Sequence, residues 1–391
     1  MKVLYIHQYF KTPMEGGSIR SYSLARELVK KNHEVLMITT HNNSRRVAKE
    51  IEGLQVIYLP VRYGNEMSFG RRIIAFMKFM ILAIIESVKH RNIDLCYVMT
   101  TPLSTGIIAL FNKVFLGRPY VFEVGDLWPK VPIDLGLIQK RWQMQLLLLA
   151  ERIFYRQAKG LIGLSDPISA HLQRISPNVP IETVYNISDC KRFKPAVKKA
   201  ELVEKYKVDD QFVISYTGTF GMANDLSRLV DLAAQVQDLP IQFLIVGDGA
   251  ERKKIEHLTE KRNLNNLVLY KAMDKTKILE IINITDAMFV SFADVESLHT
   301  GSPNKFFDAL AAGKLIITNF NGWIGELIES NSCGVVVRSA DDFRSEMSGF
   351  LHNPVKLSTY QGNARRLAES RFELGMQAET QLRFIQTVVS H

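Results

Sequence analysis

Residues 300–313 read TGSPNKFFDALAAG, a loop turning into a helix. Ser302 is a natural N-cap, Pro303 suits the first helical position, and Asn304 and Lys305 fall in the first turn. Ala311, Ala312 and Gly313 close the element. A bare helix start presents unpaired amides at the positive end of its dipole, and Lys305 adds a full charge. Asp308 lies one turn further in, where a carboxylate can accept hydrogen bonds from two neighbouring hydroxyls. Amides and an ammonium for phosphate, with a carboxylate for a diol, describe a nucleoside diphosphate and its ribose.

Three other stretches carry glycines where a backbone could approach a ligand closely. EGGSIRSYSLAREL (15–28) holds Gly16 and Gly17, then Ser18 starting a helix with Arg20 in its first turn. TGTFG (217–221) holds Gly218 and Gly221, and VGDGAERKK (246–254) holds Gly247 and Gly249 around Asp248. None forms Gly-x-Gly-x-x-Gly, so a dinucleotide fingerprint is absent.

The elements that must position these residues follow from hydrophobic runs. In the first half they are 2–7, 34–40, 54–60, 94–100, 119–124 and 161–165. In the second half they are 212–218, 241–249, 266–272, 287–292, 315–320 and 334–337. Continuous apolar runs separated by amphipathic stretches predict buried parallel strands with helical crossovers. The fold class is α/β, with two doubly wound Rossmann-like domains, and ligands belong at the carboxyl ends of the strands. The seam lies near 186–200, where YNISDCKRFKPAVKKAE breaks the pattern. The expected domains are 1–188 and 189–372, with a helix from about 373 to 391 returning to the first.

A length of 391 residues exceeds one ordinary core, which agrees with two domains. Only three cysteines occur, none in Cys-x-x-Cys spacing, which argues against a zinc or disulfide framework and for a reducing, cytoplasmic setting. MKVLYIHQYF is too short in its apolar run for a signal peptide and reads as a first strand. The net charge of +9 is one-sided. Residues 1–190 hold 24 basic and 15 acidic side chains, and the remainder hold 25 of each. That asymmetry points to anionic lipid or a diphosphate-bearing acceptor. Nucleic acid is disfavoured because no aromatic–basic RNA motif or recognition helix is present. Residues 71–91, RRIIAFMKFMILAIIESVKHR, are too interrupted to span a bilayer. They suit either an interfacial helix on anionic lipid or a helix buried on the sheet. Residues 142–156, WQMQLLLLAERIFYR, read as core.

EGGSIRSYSLARELVKKNHEV, EVGDLWPKVPIDLG, VGDGAER and SPNKFFDALAAGK together resemble retaining glycosyltransferases of the GT-B fold, over nearly the whole chain. The similarity is to the bacterial branch that builds O-antigen, capsule and exopolysaccharide units, N-acetyl-L-fucosamine transferases included. The resemblance implies an interdomain cleft, a UDP-sugar donor, and a lipid-diphosphate-linked glycan acceptor. With it come peripheral attachment to the inner face of the cytoplasmic membrane and no cofactor. No Asp-x-Asp occurs, so no metal is expected. By resemblance Gly16 and Gly17 approach the donor diphosphate and Asp308 holds the ribose. The family's Glu-x7-Glu pattern is altered: Thr300 stands at its first position and Asp308 at its second. Ser302 and Asn304 become candidates for the sugar ring. Thr219 and Asn224 stand where the family commonly carries Arg and Lys, so Lys305 and Arg20 are the replacements. Asp126, before Leu-Trp-Pro, would serve as base or orient the acceptor hydroxyl. Trp128 either stacks on a sugar or packs in the core. His7 and His299 contact phosphate or sugar, or are structural. Residues 270–273 are a candidate uracil site. The alternatives are a GT-B sugar-nucleotide epimerase, a transferase with a soluble acceptor, and a non-catalytic binder of anionic surfaces.

Overall fold

The computed structural model describes residues 1–15, 19–64 and 67–390. Each apolar run forms a strand. The first sheet comprises β1 (Lys2–Ile6), β2 (Glu34–His41), β3 (Val47–Ile51), β4 (Leu54–Pro60), β5 (Leu95–Met99), β6 (Tyr120–Val124), β7 (Gly160–Gly163) and β8 (Ile181–Thr183). Its order is β3-β4-β2-β1-β5-β6-β7-β8. The second comprises β9 (Phe212–Thr219), β10 (Ile241–Asp248), β11 (Leu267–Tyr270), β12 (Ala287–Val290), β13 (Leu315–Thr318) and β14 (Gly334–Val336). It runs β11-β10-β9-β12-β13-β14, all parallel.

Strand periodicity divides each core into two layers. In β1, Leu4 and Ile6 face a layer formed by the helices Phe69–Val88, Thr105–Leu116 and Arg141–Gln157. Val3 and Tyr5 face the opposite layer, which contains the helices Arg20–Lys30 and Leu374–Ser390. The terminal helix therefore covers the first sheet, where Phe384, Ile385 and Val388 are buried against it. Gly160 is needed beneath it, because a Cβ there would lie 2.8 Å from the Phe384 ring.

Two strands have no counterpart among the predicted runs. β3 pairs antiparallel with β4 through a hairpin whose Glu52 and Gly53 both have positive φ, +48° and +82°. Its sequence, VAKEI, has only two large apolar residues because it is an edge with an exposed face. β8 is three half-buried residues, too short to register as a run. The Arg141–Gln157 helix also corrects the expectation that 142–156 is core. Phe154 and Tyr155 are buried, whereas Trp142, Leu146, Leu149 and Ile153 face outward.

Gly106 sets the spacing between two helices of the outer layer. A Cβ at this position would lie 2.2 Å from the Phe154 ring. Gly106→Ala is expected to cost ~1–3 kcal/mol by overpacking. A lowered urea midpoint with unchanged slope checks this.

Candidate functional site

A pocket of about 690 Å³ opens at the carboxyl ends of the second sheet. It is lined by Thr217–Thr219 at the end of β9, by Val246–Gly249 at the end of β10, and by Ala272, Met273, Lys275 and Ile278. The start of the helix Asn304–Ala311 closes it with Pro303, Asn304, Lys305 and Asp308. Its position is the one a doubly wound sheet reserves for ligands.

The backbone here is locked without side chains. A Cβ on Gly247 would lie 1.8 Å from the Gly218 carbonyl oxygen, and one on Gly249 would lie 2.4 Å from that of Phe220. A Cβ on Gly218 would lie 2.9 Å from Lys305 Cε. Phe220 N donates to the Asp248 carbonyl at 2.9 Å, and Glu251 N donates to the Phe220 carbonyl at 2.9 Å. Arg252, within the VGDGAERKK stretch, donates to the carbonyls of Gly247 at 2.8 Å and Tyr270 at 3.1 Å. Asp248 is spent locally: its carboxylate accepts from Gly249 N at 2.7 Å.

Lys305 is the dominant charge. It is 9% exposed, and its Nζ sits 4.5 Å from the Tyr216 ring centroid. Its nearest polar atoms are Tyr216 Oη at 3.4 Å and Asn224 Oδ1 at 3.5 Å, both long contacts. No ion pair to Lys305 occurs among the described residues. Burial lowers its ammonium to a pKa of about 8. By contrast, Asp308 is paired: Lys275 Nζ reaches its Oδ2 at 2.6 Å. Lys275 was not anticipated; nothing in the spacing connects residues 33 positions apart.

The helix start differs from the sequence reading by one residue. Pro303 is the extended N-cap residue, φ −74° and ψ 130°, and no side chain caps the first turn. Ser302 is displaced because its carbonyl accepts from Asn186 Nδ2 at 2.6 Å, which leaves its buried Oγ without a partner. Pro303 itself offers no capping side chain, and the helix start lies beside the Lys305 ammonium at the positive end of the helix dipole. Thr300 does not line the pocket. Its Oγ1 donates to the Ser297 carbonyl at 2.8 Å, and its own carbonyl accepts from Ser165 Oγ at 2.7 Å. His299 stacks on Phe320 with centroids 5.2 Å apart.

On the first domain, Arg20 is not a phosphate ligand in this arrangement. It is 1% exposed and paired with Glu123, Nε to Oε1 at 3.0 Å, and it donates to the carbonyls of Val184 and Tyr185. Glu123 on β6 and the backbone just after β8 hold the guanidinium in place. His7 is buried, its Nδ1 2.8 Å from Ser21 Oγ, and burial beside Arg20 pushes its pKa down to about 3. It is a neutral, structurally held ring and not an open acceptor contact. Trp128 is half-buried and packs edge-on to Phe76, centroids 6.4 Å apart, so the core alternative holds for most of its surface. Gly16 and Gly17 lie outside the described residues. Asp126 is solvent-accessible two residues beyond β6, yet protein crowding raises its carboxyl above the ordinary range. Asp126 follows the carboxyl end of β6, the neighbour of β7, and it does not line the pocket of the second domain.

Comparison with known proteins agrees with this architecture. Residues 15–186 match the glycosyl transferase 4-like domain and residues 198–367 match the glycosyl transferases group 1 domain. Each match falls on one of the two domains, so the first half resembles the glycosyl transferase 4-like family and the second half the group 1 family. The chain is 22% identical over 234 residues to alpha-D-kanosaminyltransferase of Streptomyces kanamyceticus, covering 58% of this chain and 59% of that protein. It is 23% identical to the lipopolysaccharide core biosynthesis glycosyltransferase LpsD of Rhizobium meliloti, over 48% of this chain and 52% of the relative. The chain thus spans a little over half the length of these curated relatives. Among solved structures, Anabaena Alr3699/HepE in complex with UDP and glucose superposes with TM-score 0.74 at 15% identity, over 99% of both chains. At that identity the likeness establishes the GT-B fold. Six of the residues expected for the donor, Gly218, Gly247, Asp248, Asn304, Lys305 and Asp308, line this one pocket.

The Lys305 ammonium supplies a pH prediction. It is protonated below about 8 in the free protein, and a bound diphosphate favours the charged form. UDP affinity is therefore expected to be level below pH 7 and to fall as pH rises through 8 to 9.5. Calorimetric titration should show this fall, and Lys305→Met should weaken binding and flatten the profile.

Proposed function

We propose that this glycosyltransferase moves a sugar from a UDP-sugar to a lipid-diphosphate-linked glycan, with retention of anomeric configuration, in bacterial surface polysaccharide assembly. One observation carries the reading: a buried lysine with no carboxylate partner among the described residues stands at a helix start, one turn from a lysine-held aspartate. Negative charge develops on the leaving diphosphate as the glycosidic bond breaks. The Lys305 ammonium at the positive end of its helix stands in the pocket where it would receive that charge. Asp308, fixed by Lys275, accepts the ribose hydroxyls. Retention follows if the acceptor hydroxyl attacks on the leaving-group face and passes its proton to the departing diphosphate. Asp126 then orients that hydroxyl from the first domain.

The charge stabilisation assigned to Lys305 and the helix start needs no divalent cation, so the enzyme is proposed to be metal-independent. A lipid-linked acceptor places it at the inner face of the cytoplasmic membrane, and the excess positive charge of residues 1–190 supports that location. The UDP complex of Anabaena Alr3699/HepE and the lipopolysaccharide role of LpsD support the donor and the pathway class.

The test is UDP release across a panel of UDP-sugars with a short-chain lipid-diphosphate sugar as acceptor. Lys305→Ala is expected to lower release roughly 100-fold or more while keeping the wild-type melting temperature, and Asp308→Ala to lower release similarly with some loss of melting temperature, because it strands the buried Lys275 ammonium. Turnover should survive EDTA. Wild-type turnover in either variant, or epimer formation from the UDP-sugar with no acceptor present, would overturn the proposal.

A further inference from the structure

The outer layer of the first sheet is incompletely covered. The helices Phe69–Val88, Thr105–Leu116 and Arg141–Gln157 lie side by side, the middle one touching both others. Each buries one stripe against the sheet and presents a second apolar stripe outward. On the first helix, Ile74 and Ile81 repeat seven residues apart and are 68% and 51% exposed. On the middle helix Phe115 is 71% exposed. On the third, Trp142, Leu146 and Leu149 follow helical spacing and are 61%, 58% and 53% exposed. Scattered exposed leucines need no explanation, but large apolar side chains exposed on three adjacent helices are clustered and call for an occupant.

The charge around this surface selects its occupant. In residues 69–91, 105–118 and 140–159 there are only two acidic side chains, Glu86 and Glu151. Both are buried: Glu86 is tied to Arg46, Lys89 and His90, and Glu151 faces His171. The same segments expose Arg71, Lys78, Lys89, Arg91, Lys140 and Arg152. An apolar centre with a basic rim and no exposed acid complements an anionic lipid surface. No helix among the described residues is long and apolar enough to cross a membrane, so contact is along the helix sides.

We infer that these three helices together form a docking platform that lies on an anionic bilayer and inserts its apolar stripes into the headgroup–acyl boundary. In a parallel sheet, the helix that follows a strand begins at that strand's carboxyl end. Ile74 and Trp142, near their helix starts, are therefore on the cleft side of the platform. An acceptor held in the same bilayer would meet the cleft there. The inference deepens the reading of a lipid-linked acceptor, and its test needs neither donor nor acceptor.

Trp142 is exposed, whereas Trp128 is half-buried and Trp323 is buried. Phosphatidylglycerol-containing vesicles are therefore expected to blue-shift the tryptophan emission of the full chain, with little shift for phosphatidylcholine alone. Trp142→Phe should remove the shift while sedimentation with vesicles persists. Ile74→Asp/Leu146→Asp should lower sedimentation at least ~10-fold with the melting temperature and UDP affinity retained. Equal sedimentation with neutral and anionic vesicles would overturn the platform, as would an unshifted Trp142. A wild-type dimer that the double variant turns to monomer would assign the surface to a second copy of the chain. If the vesicle result fails while UDP release succeeds, the proposed reaction stands without the platform. The converse result leaves the platform standing.

Discussion

A positive charge held out of water without a negative partner is the constraint on which the second domain is arranged. Three cations are buried near the interdomain region, and they are treated differently. Arg20 is neutralised by Glu123 and two backbone carbonyls just after β8, and Lys275 by Asp308. Lys305 has, among the described residues, a tyrosine face and two long polar contacts. Burying an ion without a hydrogen-bonded counter-charge is costly and lowers a lysine's pKa, as it does here. A diphosphate would relieve that penalty, so the free energy of desolvation already spent in folding becomes available to binding.

The surrounding glycines follow from the same constraint. Lys305 must lie against the end of β9, and a side chain at Gly218 would occupy the space of its Cε. Gly247 and Gly249 let β10 and its following turn close on Gly218 and Phe220. The pocket is thus shaped by backbone approach, and its polar groups point from a frame with little freedom to move. The domain cores supply that frame. Apolar strands are sealed on both faces by helices, so the carboxyl ends of the strands are left to carry chemistry.

Much of this was legible in the sequence, because buried parallel strands are written as uninterrupted apolar runs. The parts that escaped it have specific reasons. β3 is an exposed edge and β8 only three residues long, so neither carries a run. Ser302 has the composition of a cap, but a tertiary hydrogen bond from Asn186 claims its carbonyl and moves the helix start. Arg20 lies in the first turn after two glycines, as a phosphate ligand would. Its partner is a glutamate 103 residues away, which no local pattern reveals. The 141–157 helix is apolar on two sides, and periodicity alone cannot tell a second stripe that meets protein from one that meets something else.

The bonds between Ser165 and the Thr300 carbonyl, and between Asn186 and the Ser302 carbonyl, join the two domains at the threshold of the donor helix. Ser188 adds a third, to the Phe307 carbonyl at 2.9 Å. A rotation of one half against the other would therefore pivot beside the Lys305 pocket and sweep its widest arc at the far mouth of the cleft. The phosphate end of the cavity would keep nearly constant dimensions through such a swing, while the gap admitting the second substrate would vary most.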